Sequence, residues 1–191
     1  MSKPEVRAGA LRVRKTLSPD EVGRLSARIQ ARVTATEEFA GARTLASYVA
    51  KRDEVQTSGI ISLALKSGKK VIVPRSDPSS LALRFHEIRS LAELSPGTYG
   101  IMEPAGDTPT VPLSDSNLVL VPVVAWDIKG NRMGYGKGYF DRSLRSRGGA
   151  TCAGLAFELQ RQERVPSAAT DVPLDMVVTE ERILRFGRGT A

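Results

Sequence analysis

The sequence predicts an α/β fold: a single domain, residues 1–191, built on an open, mostly parallel sheet flanked by helices. Three observations point to it. Residues 44–49, 57–66 and 70–75 follow one another as strand, amphipathic helix and strand, the order of a right-handed βαβ unit. Residues 118–125 form an apolar run with the length and β-branching of a strand buried on both faces. A chain of 191 residues is long enough to bury one sizeable core, and no interdomain linker interrupts it.

Ser2 and Glu5 have the S-x-x-E form of a capping box, so a first helix is predicted over 3–17. At about 100° per residue, Val6, Ala10, Val13 and Leu17 make an apolar row, and Lys3, Arg7 and Arg14 a basic row along its edge. Such a basic row either looks into a cleft or forms an exposed cationic face. Ser18 and Glu21 repeat the box with Pro19 at the first helical position, opening a helix to Val33. The strand over 44–49 runs into Ala50-Lys51-Arg52-Asp53-Glu54-Val55. Glu54 therefore lies just past a strand's C-terminal end, where ligands bind in open α/β sheets. Its plainer alternative is an acidic group near a helix N-terminus.

Gly68 closes the helix over 57–66, and 70–75 is the second strand. Residues 81–88 alternate enough for another strand, antiparallel to the rest, and 107–112 make a polar loop. Beyond 118–125 come a helix over 139–145, a buried strand over 152–157 and a last short strand over 176–179, with 183–186 pairing beside it. Residues 187–191 form a basic tail with no assignable task. There is no internal repeat and no low-complexity segment.

Composition excludes several classes. Cys152 is the only cysteine and lies in an apolar run, so it reads as a small core residue; no intrachain disulfide can form, and a reducing cytoplasm fits. His86 is the only histidine, which excludes a histidine-rich metal site. No segment approaches the roughly 20 apolar residues of a membrane span, and the N-terminus lacks an apolar signal core. The net charge of +7 favours anionic partners, although most of these charges also suit a solvated basic surface.

The chemistry concentrates in Gly130-Asn131-Arg132-Met133-Gly134-Tyr135-Gly136-Lys137-Gly138-Tyr139-Phe140-Asp141-Arg142, between a predicted strand and a predicted helix. Glycine lets a backbone approach a ligand closely, and N–H groups at a helix start point at an anion. The alternation G-x-G-x-G is neither a dinucleotide fingerprint nor a Walker A loop, since no Ser or Thr follows Lys137. Taken alone the glycines allow a simple turn; Lys137, Arg132 and Asp141 beside them favour phosphate plus metal.

This loop closely resembles the signature of the 5-formyltetrahydrofolate cyclo-ligases, also called 5,10-methenyltetrahydrofolate synthetases. The likeness extends along nearly the whole chain, through Val71-Ile72-Val73-Pro74-Arg75, Gly100-Ile101-Met102-Glu103-Pro104 and Asp171-Val172-Pro173-Leu174-Asp175-Met176-Val177-Val178-Thr179-Glu180. It implies a fold akin to the sugar-phosphate isomerase and CoA-transferase group, and a magnesium-dependent enzyme using ATP. In such enzymes ATP phosphorylates the formyl oxygen, N10 closes the ring, and 5,10-methenyltetrahydrofolate, ADP and phosphate are released.

Residue by residue, the resemblance implies that Lys3 and Arg7 contact ATP phosphates, together with Arg132, Gly134, Tyr135, Gly136, Lys137, Gly138, Tyr139 and Phe140. It implies that Val49, Glu54 and the loop from Tyr135 to Tyr139 meet the folate, that Asp141 and Asp171 hold magnesium, and that Lys137 is catalytic. Glu103 receives no catalytic role. Three departures stand out: Tyr135 where some members have arginine, Phe140 where a second tyrosine is usual, and Thr170 where histidine often precedes the aspartate. The expected partners are 5-formyltetrahydrofolate and ATP, with neither nucleic acid nor membrane, and the expected state is a cytoplasmic monomer. A noncatalytic RNA- or nucleotide-binding relative would lack the carboxylate pair, and a sugar-phosphate isomerase or CoA-transferase of the same fold would need no ATP.

Overall fold

In the computed structural model, which describes residues 2–187, seven strands form one sheet. They are β1 (Thr44–Ser47), β2 (Lys70–Asp77), β3 (Ala82–Ile88), β4 (Leu118–Pro122), β5 (Thr151–Leu155), β6 (Met176–Val178) and β7 (Ile183–Arg185). Their order across the sheet is β7-β6-β5-β4-β1-β2-β3. The strands from β6 to β2 run parallel, and an antiparallel strand closes each edge, β3 on β2 and β7 on β6. The helices are α1 (Lys3–Arg14), α2 (Pro19–Thr34), α3 (Glu37–Gly41), α4 (Ser58–Lys66) and α5 (Tyr139–Leu144).

Strand alternation sorts the side chains into two cores. Leu45, Val71, Val73, Leu118 and Leu120 pack with Ile29 of α2 and Ile60 and Ile61 of α4. Their neighbours in sequence, Ala46, Ile72, Val119 and Val121, point to the opposite face and pack with Phe85, Trp126 and Leu144 of α5. Because both faces are covered, the central strands carry no polar stripe, and β1 is buried at every position.

The chain steps from β1 through α4 to β2 on one side, then returns to place β4 on the other side of β1. The sheet order therefore reverses between β1 and β4, and a crevice opens beyond their C-terminal ends.

Several boundaries differ from the sequence reading, and the two largest differences have identifiable reasons. Helix α1 ends at Arg14, and its buried row is Val6, Ala10 and Arg14; Val13 is 41% exposed while Arg14 is 1% exposed. Arg14 is buried because it finds polar partners in the interior, which helical periodicity cannot anticipate. The apolar run at 118–125 is not one strand: β4 stops at Pro122, which cannot donate to a ladder, and Ala125–Trp126 turns away to pair with Arg132–Met133. β1 stops at Ser47 and β5 at Leu155, both short of the predicted ends. Helix α3 was not anticipated; Thr36 caps it, accepting from Phe39 N–H.

Other features match the expectations. Ser18 and Glu21 form a reciprocal capping box at α2, with Ser18 N–H donating to Glu21 and Glu21 N–H to Ser18. At α1 the N–H and the hydroxyl of Ser2 both donate to Glu5 Oε2, across 2.7 and 3.0 Å. His86 is buried, its Nδ1 2.9 Å from both the carbonyl and the hydroxyl of Thr108, tying β3 to the following loop. Cys152 lies in the core of β5, where burial pushes its thiol up to about 11. The basic tail lies, past Gly187, outside the described residues.

Candidate active site

The crevice at the β1/β4 switch is a cleft of about 490 Å3. Every residue assigned above to ATP, folate or magnesium lines it: Lys3 and Arg7 from α1, Val49 and Glu54 after β1, Arg132 to Asp141, and Asp171.

The glycine loop is presented by the short ladder Ala125–Trp126 with Arg132–Met133. Its turn is organised by buried Asp127, whose Oδ1 accepts from the N–H groups of Lys129 and Asn131, and whose Oδ2 accepts from Val165 N–H. Val124 and the ladder rest on Val6 and Ala10 of α1. That packing brings the basic row of α1 over the loop. Arg7 Nε donates to Gly134 O across 2.9 Å, and its guanidinium covers Gly136. A Cβ on Gly136 would lie 2.9 Å from Arg7 Cζ and displace that guanidinium, and the φ of +97° there favours glycine on conformational grounds. Gly138, at φ +72°, turns the chain into α5, and Arg142 donates to Lys137 O across 2.8 Å. Since α5 has only six residues, the positive character of the site comes mainly from side chains rather than a helix dipole.

Lys137 extends along the cleft wall. Its Nζ donates to Tyr99 Oη across 2.7 Å and lies 4.1 Å from that ring's centroid. The hydrogen bond from Lys137 lowers the Tyr99 phenol below its ordinary range, while the same cluster pushes Tyr139 up to about 12, chiefly through its contact with Tyr99. Tyr99 and Tyr139 meet edge to face with centroids 6.5 Å apart. Lys51 Nζ sits 5.9 Å from the Tyr99 centroid and 5.1 Å from that of Tyr135. Two exposed aromatic rings with a cation between them suit a flat heterocycle or an acidic chain.

The two aspartates occupy one corner. Asp141 Oδ1 accepts from Arg132 Nη1 at 2.8 Å and from Val172 N–H at 3.1 Å. Val172 follows Asp171, so the second bond ties Asp141 to the segment that carries Asp171. Asp171 Oδ2 accepts from Lys3 Nζ and from Ala168 N–H. Burial opposes ionisation of Asp171, but the Lys3 and Ala168 hydrogen bonds outweigh it and hold the carboxyl below its ordinary range. In both residues the hydrogen bonds found go to a single oxygen. Among the described residues no cluster of three or more Asp, Glu, His or Cys could hold a metal. Two hard carboxylates at the mouth of a basic cleft therefore fit magnesium only when water and phosphate oxygens complete its shell.

Glu54 is 5% exposed. Burial raises its carboxyl above the ordinary range, against the opposing hydrogen bonds from Lys51 N–H at 2.7 Å and from the Tyr135 phenol. Glu103 is also buried; it accepts from Ser76 N–H at 3.0 Å and packs on Gly97, a structural post in keeping with its lack of a catalytic assignment.

Sequence reasoning missed Tyr99 and Lys51 as parts of the wall. The signal for Tyr99 was present: an aromatic set between glycines in Gly97-Thr98-Tyr99-Gly100, inside a block already noted. Lys51 carried no signal beyond its position beside Glu54.

A basic cleft at a topological switch point, with a glycine loop on one wall and paired carboxylates at its mouth, defines an α/β enzyme for polyanionic substrates. More specifically, this chain belongs to the 5-formyltetrahydrofolate cyclo-ligase family, whose model matches residues 1–180. It is 29% identical over 174 residues to 5-formyltetrahydrofolate cyclo-ligase of Escherichia coli, covering 89% of this chain and 96% of that one. The enzyme of the same name from Saccharomyces cerevisiae is 31% identical over 202 residues, covering 93% and 94%. Among solved structures, 5,10-methenyltetrahydrofolate synthetase of Aquifex aeolicus superposes with a TM-score of 0.86 at 34% identity, covering 100% of this chain and 96% of that one. The synthetase from Mycoplasma pneumoniae, at 22% identity and a TM-score of 0.76 over 94% and 99%, shares the fold. Among the described residues no helix is long and apolar enough to cross a membrane.

Proposed function

We propose that this chain converts 5-formyltetrahydrofolate to 5,10-methenyltetrahydrofolate with consumption of ATP, in the presence of magnesium, releasing ADP and phosphate. The observation that carries this reading is that the residues for both substrates line one cleft, in a chain of the cyclo-ligase family.

A formyl oxygen on N5 is a poor leaving group as hydroxide. In this reading it attacks the γ-phosphorus, the bond to ADP breaks, and the oxygen becomes part of a phosphate ester. The N10 lone pair then attacks the formyl carbon. The C–O bond breaks, phosphate departs with that oxygen, and the N10 proton is lost. Little covalent chemistry falls to the protein, so its contribution is positioning and electrostatics.

Lys3, Arg7 and Arg132 would hold the phosphate chain. Lys137, the cation set between two glycines of the loop, would steady the phosphoryl group during transfer, beside the N–H groups of Gly136 and Gly138. Asp141 and Asp171 would hold magnesium, which when bound neutralises phosphate charge. Glu54, with Val49 beside it, would fix the folate, while Tyr99 and Tyr135 flank the flat ring. The departures at Phe140 and Thr170 leave Lys137, Asp141 and Asp171 untouched.

The test is a spectrophotometric assay for the methenyl product, with ADP measured in parallel. Methenylfolate and ADP are expected in equal amounts, with neither formed when ATP or 5-formyltetrahydrofolate is omitted. ATP hydrolysis without methenylfolate, or methenylfolate without ATP, would overturn the reading.

A further inference from the structure

Arg14 is the most deeply buried charged residue of α1, and neither the phosphate site nor the carboxylate pair uses it. Its guanidinium has partners on two segments that are distant in sequence. Nε and Nη2 donate to Asp53 Oδ2 across 3.2 and 2.7 Å, in the turn that ends at Glu54. Nη2 also donates to Tyr135 Oη across 2.6 Å, in the glycine loop, and Arg14 Cζ lies 5.5 Å from that ring's centroid. The turn itself is tight: Glu54 N–H donates to Lys51 O at 3.1 Å, and Lys51 N–H donates back to Glu54 Oε2 at 2.7 Å. Whatever moves Asp53 therefore moves Glu54.

We infer that Arg14 is a positioning residue: its one guanidinium clamps the glycine loop, through Tyr135, to the folate-facing turn, through Asp53, and so sets where Glu54 stands relative to the phosphoryl-transfer loop. This rests on the reading that Glu54 meets the folate. Arginine suits the task because a rigid planar fork with five donors can serve two acceptors at once, whereas an ammonium on a flexible stem cannot hold them in fixed relation. The clamp also gives Tyr135 a purpose. Since Arg14 donates to the phenol oxygen, the single phenol proton is left for an acceptor, and the adjacent Glu54 carboxylate is the acceptor at hand. The phenol ties the cation on one side of the loop to the carboxylate on the other.

The experiment compares Arg14→Leu, Arg14→Lys, Asp53→Asn and Tyr135→Phe with the wild type. The leucine variant fills the buried site with an apolar chain and leaves Asp53 without its cation, a loss that the partly exposed carboxylate offsets by binding water. The expected result is an unchanged unfolding temperature and a KM for 5-formyltetrahydrofolate raised about tenfold or more, the scale of a lost charge-assisted contact. The KM for ATP is expected to change less than that for folate, since Lys3, Arg7 and Arg132, the proposed holders of the phosphate chain, make no contact with Arg14 among those found. Arg14→Lys should recover only part of the loss, and the Asp53→Asn/Tyr135→Phe double variant should match Arg14→Leu. Hydrogen exchange without substrate gives a second readout: in Arg14→Leu the amides of 51–54 and of 134–138 should both exchange faster. Unchanged folate KM in Arg14→Leu, or exchange rising on only one of the two segments, would overturn the clamp. If the wild type showed no folate turnover at all, the proposed function would fall, while the exchange result would still decide whether the clamp exists.

Discussion

Lys137 donates a hydrogen bond across 2.7 Å to the hydroxyl of Tyr99, 38 residues earlier in the chain, and Tyr99 itself holds a backbone φ of 60°. A non-glycine residue in that region is strained, so the loop keeps Tyr99 in place against a preference of about 1–2 kcal/mol. The contact parks the ammonium at the cleft wall. Lys137→Ala is expected to fold and bind both substrates but to lose roughly 100-fold in the single-turnover rate of ADP formation, as when other preorganised charge donors are removed. Tyr99→Phe removes only the parking contact and should change that rate by no more than about tenfold. An unchanged single-turnover rate in Lys137→Ala would exclude a role in phosphoryl transfer.

Asp141 and Asp171 make different predictions because their cations are differently buried. Arg132 is 7% exposed and relies on Asp141, whereas Lys3, the partner of Asp171, is partly solvated. Both Asp141→Asn and Asp171→Asn should raise the magnesium concentration needed for half-maximal turnover. Only Asp141→Asn should also lower the unfolding temperature, since it leaves a buried guanidinium without its counter-charge. Wild-type magnesium dependence in either variant would remove that residue from the ligand set.

Lys3→Ala should raise the KM for ATP by about tenfold or more, a charge-assisted contact being worth about 1.5–3 kcal/mol. The KM for folate should change far less. Equal changes in both would return the basic row of α1 to a general electrostatic role.

Glu54 carries a stability cost that can be measured. Burial raises its carboxyl above the ordinary value, so between the unfolded and folded values the folded chain holds the proton more tightly. Stability attributable to this group is then full below the unfolded value and falls as pH rises through the folded one. Glu54→Gln should therefore melt higher than the wild type at pH 7, with the gap closing on acidification below the ordinary glutamate range, while folate turnover collapses. A variant less stable at pH 7 and equally active would contradict both roles.

Burial of Cys152 pushes its thiol up to about 11, so at pH 8 it is protonated as well as inaccessible. Native protein should react with a chromogenic disulfide reagent far more slowly than denatured protein. Prompt stoichiometric labelling of the native chain would show that β5 opens.

Much of this site was legible because its chemistry is local in sequence. The loop from Arg132 to Asp141 contains a cation, three glycines, Lys137 and a carboxylate within one strand-to-helix connection, and Gly136 is explained by its φ of +97°. The parallel sheet was likewise visible in the apolar runs of β2 and β4. What escaped were features made only by tertiary contact. Periodicity placed Val13 in the core and left Arg14 at the edge, because a buried arginine becomes tolerable only when Asp53 and Tyr135 arrive from distant segments. The break after Pro122 escaped because Val123, Val124 and Ala125 are as buried in the turn and ladder as they would be in a strand. Tyr99 escaped because its value lies in meeting Lys137 from the far side of the cleft.

The fate of the formyl oxygen tests the central claim most directly. If ATP phosphorylates that oxygen before N10 closes the ring, 5-formyltetrahydrofolate labelled with oxygen-18 in the formyl group must deliver its label to inorganic phosphate. Mass spectrometry of phosphate after one turnover should show one labelled oxygen per methenylfolate formed, and unlabelled substrate in oxygen-18 water should give none. Label recovered in water, with phosphate unlabelled, would contradict activation of the formyl oxygen in this cleft.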